Sequence, residues 1–291
     1  MIKHPLLTLG HSPDPDDAFM FYALAKDLIP TEGWKFEHTL QDIQTLNERA
    51  TRGELHISAI SIHAYASVLD RYALLPCGAS MGDGYGPMLV SRTGQYLPDP
   101  GDELALRTWL REKRIAVPGR MTSAFLALGL FCGGFPENHV VVPFDEIFAS
   151  LETGGCDVGL IIHEGQLTYA SEGLDLVLDL GAWWKGRTGL PLPLGGNVIR
   201  KDLPAGARSE INGVLRESIR YGLDHRADGV AHSMPLARGL DTALADKFIG
   251  MYVNDWTLDY GEAGREAIRL FLARAHEARL IPEPVELEFV E

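Results

Sequence analysis

The chain has 291 residues, with 26 Lys and Arg against 40 Asp and Glu and a formal net charge of -14 at pH 7. No basic run is present to neutralise phosphates, so neither nucleic acid nor an anionic membrane is an expected partner, and no apolar stretch approaches membrane-spanning length. The length fits one large α/β domain or, the reading preferred here, two lobes of ordinary size.

Cys77, Cys132 and Cys156 are odd in number, far apart and set in apolar sequence, so they read as small core residues in a reducing compartment. The N-terminus meets Pro5 and then Asp14, Asp16 and Asp17, which is too short and broken for a leader and predicts a cytoplasmic protein.

Residues 6–10 read as a first strand, 12–17 as a turn of helix-capping side chains, and 18–28 as a helix. Such a turn suits an anion, but three aspartates crowd it. The expectation is therefore that it binds hydroxyls or orders the helix. A strand at 34–40 and a helix at 42–52 follow, with Ile43, Leu46 and Ala50 on one face. The strand at 56–62 ends at Ser61, whose hydroxyl at a strand tip either caps the helix 63–71 or meets a ligand.

Gly78-Ala79-Ser80-Met81-Gly82 matches G-x-S-x-G, but no helix follows the serine as a nucleophile elbow requires. These glycines do not spell a dinucleotide fingerprint either, and they read as a flexible turn between strands. Residues 92–102, rich in Pro, Gly and Asp, are the expected crossing between lobes.

After a helix at 103–113 the series restarts with a strand at 114–117, a turn at 118–123 and a helix at 124–131. Thr122 and Ser123 stand at that helix N-terminus with no acid close by. The turn is the choice for holding a substrate carboxylate through backbone N–H groups, hydroxyls and helix dipole, although ordinary N-capping explains the same residues.

A strand at 139–144 and a helix at 145–153 lead to 158–162, an unbroken apolar run that reads as a strand covered on both faces. His163 is the first titratable group to leave it. A strand tip is where open α/β sheets place ligands, and neutral imidazole there suits a general base. A hydrogen bond to a neighbouring carbonyl would suit it equally. His163-Glu164 does not extend to H-E-x-x-H, since Leu167 takes the last place, so zinc is not supported. A strand at 174–180 follows. Residues 181–196 are too aromatic and apolar for a solvated loop and are expected to cover the cleft or the core. A short strand at 197–200 and amphipathic helices at 207–225, 236–253 and 262–280 read as scaffold on the first lobe.

Four motifs together make the chain resemble one family throughout: Ser12-Pro13-x-Pro15-x-Asp17-x-Phe19, Pro118-Gly119-Arg120-x-Thr122-Ser123-Ala124, Gly159-Leu160-Ile161-Ile162-His163-Glu164, and Asp179-Leu180-Gly181-Ala182-Trp183-Trp184 through Thr188-Gly189-Leu190-Pro191-Leu192-Pro193-Leu194-Gly195. It resembles the 1,4-dihydroxy-6-naphthoate synthases, the cyclic dehypoxanthinylfutalosine lyases of the futalosine route to menaquinone. The resemblance implies an α/β, two-lobed fold like that of type 2 periplasmic solute-binding proteins, with the active site in the interlobe cleft. Residues 1–91 and 198–291 would form lobe 1 and residues 92–197 lobe 2. It implies a cofactor-free carbon-carbon lyase acting on a small-molecule carboxylate, with His163 as proton acceptor. Ala59, Ile60, Ser61, Thr122, Ser123 and Ala124 fall at substrate-binding places. A proton is abstracted, the spirocyclic sugar fragment breaks off, and the carbocycle aromatises.

The chain departs from the pattern at Asp14, Asp16 and Ala18, where the family often reads Ser-Pro-Cys-Pro-Asn-Asp-Thr-Phe. It departs again at Ala59, where many members carry lysine. Arg120 and His63 are the candidate cations in its place. Two rival readings stay open: a solute-binding protein on the same fold, which would carry an export signal, and the sibling chorismate dehydratase. The Ile-Ile-His-Glu and Ala-Trp-Trp motifs favour the lyase. Oligomeric state, monomer or homodimer, is left open.

Overall fold

The computed structural model describes residues 5–291; the N-terminal reading that leaned on Met1–His4 falls partly outside them. Eleven strands are found among the described residues: β1 Leu6–His11, β2 Lys35–Leu40, β3 Ile57–Ser61, β4 Tyr72–Leu74, β5 Ser80–Gly82, β6 Met88–Arg92, β7 Ile115–Val117, β8 His139–Val141, β9 Val158–Ile161, β10 Leu174–Asp179 and β11 Leu192–Arg200. They form two separate sheets. One runs β2-β1-β3-β11-β4 with β5 also paired to β11, and the other runs β10-β6-β9-β7-β8.

Each sheet is built the same way. Three parallel strands joined through helices form one side of it, β2, β1 and β3 in one sheet and β8, β7 and β9 in the other. An antiparallel strand comes next, β11 beside β3 and β6 beside β9, and carries the remaining strands beyond it, β4 and β5 on β11 and β10 on β6. Because β11 follows the whole second sheet in sequence, the chain leaves the first lobe and returns to it.

The pairing moves both crossings from where the sequence placed them. Met88 pairs with Ile161 and Arg92 with Leu174, so residues 88–91, placed in lobe 1 by the sequence, form part of a strand of lobe 2. Leu192 already pairs with Gly82 in the first sheet. The crossings therefore fall at 83–87 and 189–191, in place of the boundaries at 91/92 and 197/198. The reason for the first is geometric. A Cβ on Gly82 would stand 2.2 Å from the Tyr85 carbonyl oxygen, so only glycine lets the chain double back closely enough to change sheets within five residues.

The stretch 181–196 is also not a loop. Asp179 accepts a hydrogen bond from the Ala182 N–H at 2.9 Å and caps a helix, Leu180–Thr188, which Gly189 ends in the left-handed conformation at φ 73°. Trp184 then packs edge-on against Phe271 and donates its indole N–H to the Pro191 carbonyl. The expected covering role is met over the core.

β9 is buried at every position, as its unbroken apolar run requires. Burying each large side chain there contributes about 1.5–3 kcal/mol. The C-terminal helices Ala205–Asp224, Arg226–Ser233 and Thr242–Tyr252 pack on the first lobe, while Gly261–Glu277 buries Ile268, Phe271 and Leu272 in a core shared by both lobes. All three cysteines are free. No described helix is long and apolar enough to cross a membrane.

Candidate functional site between the lobes

A cavity of about 120 Å³ lies where the two sheets face each other. Ala59, Ile60 and Ser61 from the tip of β3 and Thr122, Ser123 and Ala124 from the turn after β7 all line it, so the structure brings the six expected binding residues together. The acidic turn, with Asp14, Asp16 and Asp17, forms another part of the wall. His163 does not line it; the residue before it, Ile162, does.

Ser61 is held by Asn47, which is fully buried: the Ser61 N–H donates to Asn47 Oδ1 at 2.8 Å and Asn47 Nδ2 donates to Ser61 Oγ at 3.0 Å. Across the cavity, Thr122 caps the helix Ser123–Cys132. Its Oγ1 accepts from the Phe125 N–H at 3.2 Å and donates to the Gly119 carbonyl at 2.9 Å. The capping explanation for Thr122 therefore accounts for its hydroxyl. Ser123 Oγ donates to the Leu194 carbonyl at 2.6 Å and accepts from the His63 N–H at 3.1 Å, tying the second lobe to the first. What this turn offers to a ligand is its backbone. The Ser123 and Ala124 N–H groups stand in the first helical turn, where no carbonyl lies behind them, at the positive end of the dipole.

Among the described residues, no lysine, arginine or histidine lines the cavity. Arg120 instead donates to His139 Nε2 at 3.1 Å on the surface. His63 is turned to the Thr122 carbonyl, and burial lowers its pKa to about 4, so it is neutral at pH 7. Neither residue replaces the cation missing at Ala59. On the acidic side, burial pushes Asp17 up to about 6, against the Ser12 N–H that donates to its Oδ2 at 2.6 Å. Burial, with Asp17 and Asp14 adding to it, raises Asp16 well above the usual carboxylate range. That lessens the repulsion an anionic ligand would meet.

His163 is 8 % exposed, just beyond β9. The Gly165 N–H donates to Nδ1 at 3.0 Å, which assigns the ring proton to Nε2, and Nε2 donates to the Phe144 carbonyl at 2.9 Å. Phe144 and Phe148 flank the ring. A backbone carbonyl from another loop therefore orients it, and Glu164 does not, though Glu164 Oε2 is only 3.8 Å from Nδ1.

The helical tail contributes more than scaffold. Phe248 and Tyr252 line the cavity, and the Tyr252 hydroxyl donates to Gln166 Oε1 of the second lobe at 2.6 Å. Arg238 binds Asp14 and Glu164 together. Of these missed residues, only Asn47 left a signal in sequence, a polar side chain on the buried face of its helix beside Leu46 and Ala50. Among the described residues, no group of three or more His, Cys, Asp or Glu is placed to hold a metal ion.

Residues 7–277 match the family model described as menaquinone biosynthesis. A protein from Thermus thermophilus named 1,4-dihydroxy-6-naphthoate synthase is 39% identical over 278 residues, 96% of each chain. One of the same name from Streptomyces coelicolor is 37% identical over 281 residues, 95% of each. Among solved structures, a protein from Archaeoglobus fulgidus superposes with a TM-score of 0.86 at 42% identity, covering 95% of this chain and 98% of that one. The alkanesulfonate-binding protein of Xanthomonas axonopodis pv. citri, bound to MOPS, superposes with a TM-score of 0.70 at 14% identity, over 98% and 97% of the two chains. The last likeness carries the fold alone: two α/β lobes of the periplasmic-binding-protein type.

Proposed function

The chain belongs to the menaquinone biosynthesis family and is an enzyme of that pathway, and on that premise we propose that it is a 1,4-dihydroxy-6-naphthoate synthase, a carbon-carbon lyase that needs no cofactor. One observation carries the reading: the tip of β3 at 59–61 and the helix start at 122–124 meet across one cavity that is also lined by Ile162, the residue before His163.

In this reading the carboxylate of cyclic dehypoxanthinylfutalosine lies against the Ser123 and Ala124 N–H groups and the Ser61 hydroxyl, where dipole and hydrogen bonds stand in for the absent lysine. Ile60, Ile162 and Leu194 form an apolar wall for the carbocycle. The acidic turn takes the hydroxyls of the sugar-derived part.

His163 accepts the proton at Nδ1, exchanging the Gly165 N–H for the substrate C–H. The electron pair of that C–H bond expels the sugar fragment, and aromatisation drives the step. Three free cysteines accord with a reducing, cytoplasmic setting.

The test is to incubate purified protein separately with cyclic dehypoxanthinylfutalosine and with chorismate, following the ultraviolet absorbance of the aromatic product. The reading expects naphthoate from the first and no turnover of the second. Turnover of chorismate alone would assign the dehydratase, and binding without turnover of either would assign a solute-binding protein.

A further inference from the structure

Arg238 belongs to the first lobe, in the loop between the helices Arg226–Ser233 and Thr242–Tyr252, yet its guanidinium is shared between the lobes. Its φ of 45° and that of Gly239, 86°, are both left-handed, and two such residues in succession turn the chain sharply. Nη1 lies 2.7 Å from Asp14 Oδ1, and Nη2 donates to the Pro13 carbonyl at 3.2 Å. Toward the second lobe, Nη1 donates to both Glu164 oxygens at 3.0 Å, and the guanidinium sits over the Phe144 ring at 4.7 Å. The two second-lobe residues it touches are those on either side of His163: Phe144, whose carbonyl orients the ring, and Glu164, the next residue in sequence.

Glu164 is 6 % exposed, and a carboxylate so buried is strongly disfavoured without a cation. Among the described residues, two cationic side chains pair with it. Arg238 is always charged, whereas His163, with Nδ1 at 3.8 Å, is a partner only when protonated. Among the described residues, the charged groups on the elements packed against His163 are Glu164 beside it, Arg238 and Asp14 beyond Glu164, and the exposed Asp145 and Glu146 that follow Phe144 in the turn 144–146. The other neighbouring side chains, Phe144 and Phe148, are apolar.

We propose that Arg238 is a positioning residue for proton transfer: it occupies Glu164 from across the cleft, so that the carboxylate does not capture a proton on His163, and it pins the Phe144 loop that aims the ring. The inference rests on the reading of His163 as proton acceptor. With Arg238 gone, Glu164 loses its permanent partner and turns to the imidazole, which then holds its proton to higher pH and cannot accept one from substrate.

The experiment is kcat/KM against pH for the intact enzyme, for Arg238→Lys, Arg238→Met, Glu164→Gln and the double variant Arg238→Met with Glu164→Gln, with His163→Asn beside them. Arg238→Met should move the acid limb up by about one pH unit, a tenfold loss in kcat/KM below the limb, with the loss in kcat rather than KM. Arg238→Lys should keep the limb in place, and adding Glu164→Gln to Arg238→Met should return it. An unmoved limb in Arg238→Met, or a displaced limb that Glu164→Gln fails to return, overturns the inference. If Arg238→Met does not fold, Glu164→Gln alone decides: its limb should move down, and an unmoved limb overturns the inference. Wild-type turnover in His163→Asn removes the proton-acceptor reading and this inference with it. An inactive His163→Asn with limbs that ignore both partners removes this inference only.

Discussion

Gly165→Ala tests whether the histidine ring is held as tightly as its surroundings imply. A Cβ at Gly165 would lie 2.8 Å from His163 Cε1 and 2.8 Å from Phe148 Cζ, with Nδ1 at 3.2 Å. Ordinary carbon contacts begin near 3.5 Å, so both rings would have to retreat by about 0.6 Å or more. His163 cannot do so without stretching bonds of 2.9 and 3.0 Å at both ring nitrogens. The backbone itself tolerates alanine, since Gly165 is not among the left-handed glycines, so the cost is packing alone. Overpacking of this kind costs about 1–3 kcal/mol, offset by up to about 1 kcal/mol from the helix propensity of alanine. The catalytic effect should be larger than the stability effect. A displacement approaching 1 Å in a reacting group costs up to about 10²-fold, so kcat should fall by roughly 10- to 100-fold while KM, set by residues that line the cavity, changes little. Steady-state kinetics with the cyclic substrate, run beside thermal melting, reads both. Gly186→Ala is the control: nothing lies within 4 Å of its added Cβ, and neither rate nor melting temperature should fall. A kcat within twofold of wild type in Gly165→Ala would refute the reasoning.

Asn47→Leu should raise KM and cost about 1–3 kcal/mol, because both hydrogen bonds to Ser61 vanish in a fully buried place; unchanged denaturation and KM would contradict it. Asp179, raised to about 6 by burial against the N–H groups it caps, makes the protonated form the favoured folded one. Its stabilisation is full below the ordinary carboxylate value of 3.8 and is lost as pH rises through 6. Asp179→Asn, which keeps an acceptor for the Ala182 N–H, should therefore raise the melting temperature at pH 8 but not at pH 4; an equal shift at both would contradict the assignment. His11 and His38, both lowered to about 4 chiefly by burial, work in the opposite sense. Their contribution is full above about 6.5 and is lost as pH falls towards 4, so His38→Gln should flatten the acid loss of stability between those values. A denaturation profile as steep as wild type would contradict it.

What the sequence made legible was local. The unbroken run at 158–162 read as a covered strand, and the threonine and serine after a short strand read as the start of a helix. The six residues at 59–61 and 122–124 came from the family resemblance, and only Ser61 at a strand end and Thr122-Ser123 at a helix start carried a local signal of their own. What escaped it was set by partners far along the chain. Residues 88–92 are apolar enough for either sheet, and only the pairing of Met88 with Ile161 settles which. The helix Leu180–Thr188 was hidden by Gly181 and Gly186, which weaken helix propensity, although Asp179 and Gly189 mark its ends. Gly181 is required there, because a Cβ would stand 1.9 Å from the Tyr85 carbonyl oxygen. Arg238 carries no local signature, since its role arises only when the second lobe brings Glu164 to it. Nor could spacing reveal that both nitrogens of His163 are engaged.

The most direct test is turnover of cyclic dehypoxanthinylfutalosine by the wild-type protein and His163→Asn side by side, with substrate affinity measured calorimetrically for both. Loss of a general base typically costs about 10²- to 10⁴-fold in rate. The account predicts naphthoate formation by the wild type, a loss of that order in the variant, and affinities within a few fold of each other. Near wild-type turnover in His163→Asn would contradict it and leave His163 as the structural hydrogen-bonding residue that its contacts with Phe144 and Gly165 also describe.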